Sequence, residues 1–146
     1  MALFGKKEKK KIRLMGVLLA VMMLFASGCE WARELSEEFE EAEVQARAED
    51  AMELLNACDF EAIEELVDEA FKDQLSAEIL EEALGEKIQS LGEFDGYSDE
   101  AVVGLKSKDY DGNVAVAVLN GTYKNGTIAV TISYNTDYKI IGFYAK

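Results

Sequence analysis

No histidine occurs anywhere in the 146 residues, so the side chain most often used as general base, proton shuttle or metal ligand is missing. The reactive groups that remain begin with two cysteines, Cys29 and Cys58, too few for a disulfide framework or a four-thiolate zinc site. Cys58 ends an apolar stretch with no arginine or lysine beside it to activate it, and reads as a buried structural thiol. Asp109-Tyr110-Asp111-Gly112-Asn113 looks at first like a calcium loop. An EF-hand needs glycine at its sixth position and glutamate at its twelfth, where Val114 and Asn120 stand, so a hairpin turn is expected instead. Five of the six tyrosines lie between Tyr110 and Tyr144, but tyrosine is an ordinary strand residue and no spacing selects a set. None of these residues calls for a metal or cofactor, and none is expected.

Cys29 has a more specific setting. Met1 to Arg13 holds six basic residues against one acid, Glu8. The apolar run Leu14 to Phe25 is 12 residues long, well short of the roughly 20 needed to span a bilayer. Phe25-Ala26-Ser27-Gly28-Cys29 then resembles the bacterial lipobox, in which small residues precede a cysteine that is diacylglycerylated before cleavage. Residues 1–28 are therefore expected to be a lipoprotein signal peptide and Cys29 the lipidated N-terminus. That places the chain on the extracytoplasmic face of a bacterial cell membrane, with the membrane as its first partner.

After such cleavage 118 residues would remain, with 28 acids against nine bases, net −19. A polyanion would be repelled by this surface, so nucleic acid is excluded as a partner. The charge is uneven: net −21 from Glu30 to Glu100, net +2 from Ala101 to Lys146. An acidic helical half and a nearly neutral strand half is the simplest description.

The elements follow from periodicity. Residues 29–47, rich in glutamate and sparse in apolar positions, read as an acidic solvated tether, with Trp31 suited to the lipid headgroup layer. Deleting the tether is expected to leave the domain folded. From Ala48, the positions Ala48, Ala51, Met52 and Leu55 predict a core-facing helix. Asp59 is placed to cap a second, whose stripe runs through Phe60, Ile63, Leu66, Val67, Ala70 and Phe71. Ser76 caps a third, with Ile79, Leu80, Ala83, Leu84, Ile88 and Leu91 on one side and Gly92 as terminator.

Beyond Gly96 the period becomes two, and four antiparallel strands are predicted near 102–108, 114–123, 127–134 and 139–144. If Asn125-Gly126 forms a two-residue type I′ loop, Tyr123 pairs with Ile128, Leu119 with Ile132 and Ala117 with Tyr134, on the helix-facing side. The other side carries Val116, Val118, Thr122, Ala129, Thr131 and Ser133. Of these, Val116, Val118, Thr131 and Ser133 make a candidate contact face for a protein or a second copy.

Residues 48–144 resemble an uncharacterised family of domains found in lipoproteins of Gram-positive bacteria. The likeness is carried by "AMELLNACDFEAIEELVDEAF", "LSAEILEEAL", "LGEFDGY" and "YKIIGFY". It implies an α+β, cystatin-like fold of the nuclear transport factor two type, with three helices packed on a curved four-stranded sheet and a conical cavity. It supplies no catalytic residue. In steroid-isomerase-like relatives of that fold, a tyrosine and an aspartic acid polarise a carbonyl while a carboxylate moves a proton, roles for which Tyr97, Asp99 and Tyr110 are the candidates here. The leading expectation is a non-enzymatic, membrane-anchored module, residues 48–146, that binds a small ligand or a protein. The alternatives are a small isomerase or lyase using the Tyr97, Asp99, Tyr110 set, and a structural homodimer joined through sheet faces.

Overall fold

The computed structural model describes residues 32–106 and 110–146; the expected signal peptide 1–28, Cys29, Trp31 and Lys108 lie outside the described residues. The chain forms three helices followed by a meander of four long antiparallel strands, with a two-residue strand added at one edge.

Helix α1 spans Glu41–Asn56 and buries Val44, Ala48, Ala51, Met52 and Leu55, the recurrence of a single helical stripe. It ends in two interlocked hydrogen bonds, from Cys58 N–H to the Leu55 carbonyl and from Asp59 N–H to the Leu54 carbonyl. That closure places Cys58 at φ 56°, a left-handed position normally given to glycine. Its thiol is free and half-buried rather than fully buried. Asp59 then caps α2, Phe60–Glu65, by accepting from Ala62 N–H at 3.2 Å.

The second helix is shorter than its stripe implies. After Leu66 the backbone leaves the helix and pairs with the sheet: Asp68 N–H donates to the Ile140 carbonyl and Ile140 N–H to the Leu66 carbonyl, each at 2.9 Å. Val67 is thereby buried beside Ile140, and Glu69–Phe71 forms one separate 3-10 turn. Two strand-like hydrogen bonds have outcompeted continuation of the helix. Helix α3, Ala77–Leu91, is capped by Ser76 and stopped by Gly92 at φ 77°. Ala83 is exposed rather than inward-facing.

Residues 32–47 are packed, which corrects the expected tether over that stretch and moves the start of the domain ahead of Ala48. Strand β1, Ala32–Arg33, pairs antiparallel with Leu105 and Gly104. Just beyond it the Glu34 carbonyl passes so close over Gly104 that an added Cβ would sit 2.3 Å from it. Phe39 meets the Tyr138 ring edge-on at 5.7 Å, and the Tyr138 hydroxyl accepts from Glu40 N–H at 2.9 Å. Asn113 Nδ2 donates to Glu38 Oε1 at 2.5 Å. Phe39 is buried in a non-helical stretch, and Val44 begins the α1 stripe one turn ahead of Ala48, so the segment joins the core at both points.

Strands β2 (Phe94–Leu105), β3 (Val114–Tyr123), β4 (Gly126–Tyr134) and β5 (Ile140–Ala145) lie in chain order across the sheet. The β3–β4 register differs from expectation by two residues: Leu119 pairs with Val130, Ala117 with Ile132 and Ala115 with Tyr134. The two-residue loop is Lys124-Asn125, not Asn125-Gly126. Its amides are committed elsewhere, Lys124 N–H to the Glu93 carbonyl and Asn125 N–H to the Leu91 carbonyl, both at 2.9 Å, so the end of α3 sets where the hairpin turns. A slip of two leaves every side chain on its expected face.

The inner face, with Leu119, Ile128, Val130, Ile132 and Tyr134, packs against the apolar stripes of α1, α2 and α3 in one core.

Candidate functional site

On the outer face, the alternating positions of β2 and β3 bring Leu105, Val114 and Val116 into a second, smaller apolar cluster, with Val103, Val118, Tyr110 and Ile141 packed against it. Val116 has no exposed surface and Ser133 is only 7% exposed, so these two candidate contact residues are buried rather than presented. Val118 and Thr131 are half-buried, and they pair directly across β3 and β4. Outward positions from Ala101 to Leu105, Val114 to Thr122 and Thr127 to Ser133 carry no charged side chain. Charge resumes at Asp99, opposite Asn120. By contrast, the helical stretch from Glu41 to Leu91 holds 16 acids and three bases.

Tyr97, Asp99 and Tyr110 are not brought together. Tyr97 pairs with Gly121 near one end of the sheet and stacks edge-on with Phe94 at 5.1 Å. Asp99 is exposed and accepts a hydrogen bond from Glu100 N–H at 3.0 Å, on the opposite side of a bulge in β2. Tyr110 belongs to the other end, 6.2 Å from the Phe71 ring and against the Leu105–Val114–Val116 cluster. Gly121 and Val114 are seven residues apart on β3, roughly 23 Å.

A polar cluster does form around Tyr97, from residues that no spacing in the sequence connects. Burial, then the charges of Glu49 and Glu100, hold the Tyr97 hydroxyl at a pKa of about 12. Burial likewise raises Tyr123 to about 12, while its hydroxyl donates to Asn56 Oδ1. Glu100 is the notable member. Desolvation, a hydrogen bond with the Glu49 carboxyl and the negative charges of Glu49 and Asp99 all raise its pKa. Its Oε1 is enclosed without a partner. Glu49 lies on α1, where Gln45 Nε2 donates to it at 3.1 Å, so the pair joins helix to sheet. A carboxyl beside a carboxylate holds a proton more tightly than either would alone. The arrangement can store a proton, and Tyr97, kept neutral, can donate a hydrogen bond.

Tyr134 is the other enclosed hydroxyl, without a partner and strongly raised by burial. Among the described residues no group of three or more acidic or thiol side chains is arranged to hold a metal ion, and no helix is long and apolar enough to cross a membrane.

A family model, DUF3887, described as a protein of unknown function, matches residues 48–143. No curated protein matches. Among solved structures, the chain is similar to an NMR structure of a protein from Ruminococcus gnavus ATCC 29149, with a TM-score of 0.67 and 18% identity. The match covers 77% of this chain and 96% of that one. At that identity the likeness concerns the fold alone.

Proposed function

The chain belongs to the DUF3887 family of proteins of unknown function, so no activity comes to it from a relative, and we propose one from its own geometry. The protein is a membrane-anchored extracytoplasmic lipoprotein, lipidated at Cys29, that acts as a non-enzymatic contact module through the outer face of its sheet. The observation that carries this reading is the outer sheet face, partly apolar and uncharged from Ala101 to Leu105 and across β3 and β4, in a chain whose helical layer is strongly acidic. Half-buried Val118 and Thr131 sit at its centre. Uncharged surface of this kind is where partners bury area. Separation of Tyr97 and Asp99 from Tyr110 supports the same reading, because proton transfer to a bound carbonyl needs its acid and base within hydrogen-bond reach. The finer fold assignment, a cystatin-like cone of the nuclear transport factor two type, is supported by the helices-then-meander order and by the irregular registers in β2 and β5 that bend a sheet.

Complementation of a deletion strain tests the function. Val118→Lys with Thr131→Lys should abolish rescue while the protein accumulates normally, whereas Tyr97→Phe and Asp99→Asn should rescue fully. The reverse pattern, rescue by the lysine variant and failure on loss of one hydroxyl or carboxylate, would establish the isomerase or lyase reading. For the anchor, radiolabelled fatty acid should enter the wild type and not Cys29→Ala; label in the alanine variant refutes lipidation at that residue.

A further inference from the structure

We propose that the surface contacted by the outer sheet face is the bilayer to which the protein is anchored. This rests on the lipoprotein reading and names the partner of the same face. The first ground is the length of free chain. With residues 32–47 packed onto the domain, only Glu30 and Trp31 separate Cys29 from β1. Three residue steps span at most about 11 Å. An anchored domain on so short a connection cannot roam. The β1 edge stays within that distance of the headgroups, and some surface adjoining it must face the lipid.

Charge decides which surface. One side of the sheet is covered by the helical layer, with its 16 acids and three bases, and turning it toward an anionic bilayer would set like charges against each other. The other side is uncharged from Ala101 to Leu105 and across β3 and β4, and includes Val103, Val118 and Ile141 around its apolar cluster. After β1 the chain crosses over Gly104 into α1 on the helix side, so Glu34 to Glu43 follow the acidic layer and stay off the uncharged side. Interfacial attachment by apolar and weakly polar side chains is modest alone, and an acyl anchor removes the entropic cost of bringing the face to the membrane.

Site-directed quenching with the full acylated protein separates the outcomes. In a Cys58→Ala background, fluorophores are placed at Thr131→Cys on the outer face and at Glu86→Cys on α3, with Ala129→Cys as a second outer position should the first disturb folding. The protein is reconstituted in vesicles of phosphatidylcholine and phosphatidylglycerol carrying bromine along the acyl chains. Mass spectrometry of the N-terminal peptide reads the anchor independently. The outer-face label should be quenched at least threefold more than the α3 label, and raising the salt concentration should not reverse the ratio. Equal quenching on an acylated N-terminus overturns the membrane-facing assignment and leaves the lipoprotein reading intact. Cross-linking of the Thr131→Cys variant to a second protein, with quenching at neither position, overturns it in favour of a protein contact. An unacylated N-terminus overturns both.

Discussion

The two sides of β3 are built from the same kinds of residue and have different fates. Ala115, Ala117 and Leu119 point inward and are sealed by three helices; Val114, Val116 and Val118 point outward into a smaller cluster with Leu105, Val103, Tyr110 and Ile141. An apolar strand position is thus stabilising only to the extent that another element covers it, and the chain supplies helices for one side. The outer side buries Val114 and Val116 in its own small cluster but leaves Val118 and Thr131 half-open, which is the physical sense in which that part of it is a surface for something else.

The sharpest way to break this comparison is to truncate neighbours on opposite sides. Leu119→Ala should cost about 2–5 kcal/mol in denaturant unfolding, as for a large side chain removed from a closed core. Val118→Ala should cost under about 1 kcal/mol. Equal losses would mean that the outer side is a second core. Next in size is Gly104→Val, which drives a side chain into the Glu34 carbonyl and should cost about 1–3 kcal/mol. Increased protease sensitivity between Glu34 and Glu43 should accompany it, showing that the segment after β1 has been released.

The rim of the inner side gives a pH signature. Glu100 has its pKa raised in the folded protein by burial, the hydrogen bond with Glu49 and the charges of Glu49 and Asp99. Its contribution is therefore fully present below the ordinary glutamate value near 4.5, and is lost as pH rises through the higher folded value. Stability measured from pH 4.5 upward should carry that decline, and Glu100→Gln should flatten it; an unchanged profile would remove Glu100 from the proton-holding pair. The smallest effect is expected at Cys58→Gly, where relief of the left-handed conformation should raise stability by up to about 1 kcal/mol, less the loss of half-buried side-chain contact.

What the sequence disclosed, and what it did not, divides along the same physical lines. The stripes on α1 and α3, the Asp59 and Ser76 caps, the Gly92 stop and the two faces of β3 were legible, because each is a local periodicity or a local hydrogen bond. The packing of residues 32–40 was not, since Phe39 docks without a periodic partner, and Val44, although one turn before Ala48, stands alone among glutamates. The end of α2 was set by Ile140, more than 70 residues away, and the β3–β4 loop by carbonyls at the end of α3. The Glu49 and Glu100 pair was invisible for the same reason: two glutamates among many become a site only when helix and strand are laid side by side. Of the candidate contact residues, Val118 and Thr131 stand on a half-open surface, but the burial of Val116 and Ser133 depends on cross-strand neighbours that alternation alone does not reveal.

The turn between β3 and β4 has a kinetic consequence. Amides at the tip of a two-residue hairpin loop usually exchange with solvent almost as fast as in an open chain. Here those of Asn125 and Lys124 are donated to the carbonyls of Leu91, the last residue of α3, and of Glu93 just beyond it. Their deuterium uptake should therefore be slow and rise together with that of the last turn of α3, so that the tip of the hairpin and the end of a distant helix open as one cooperative unit.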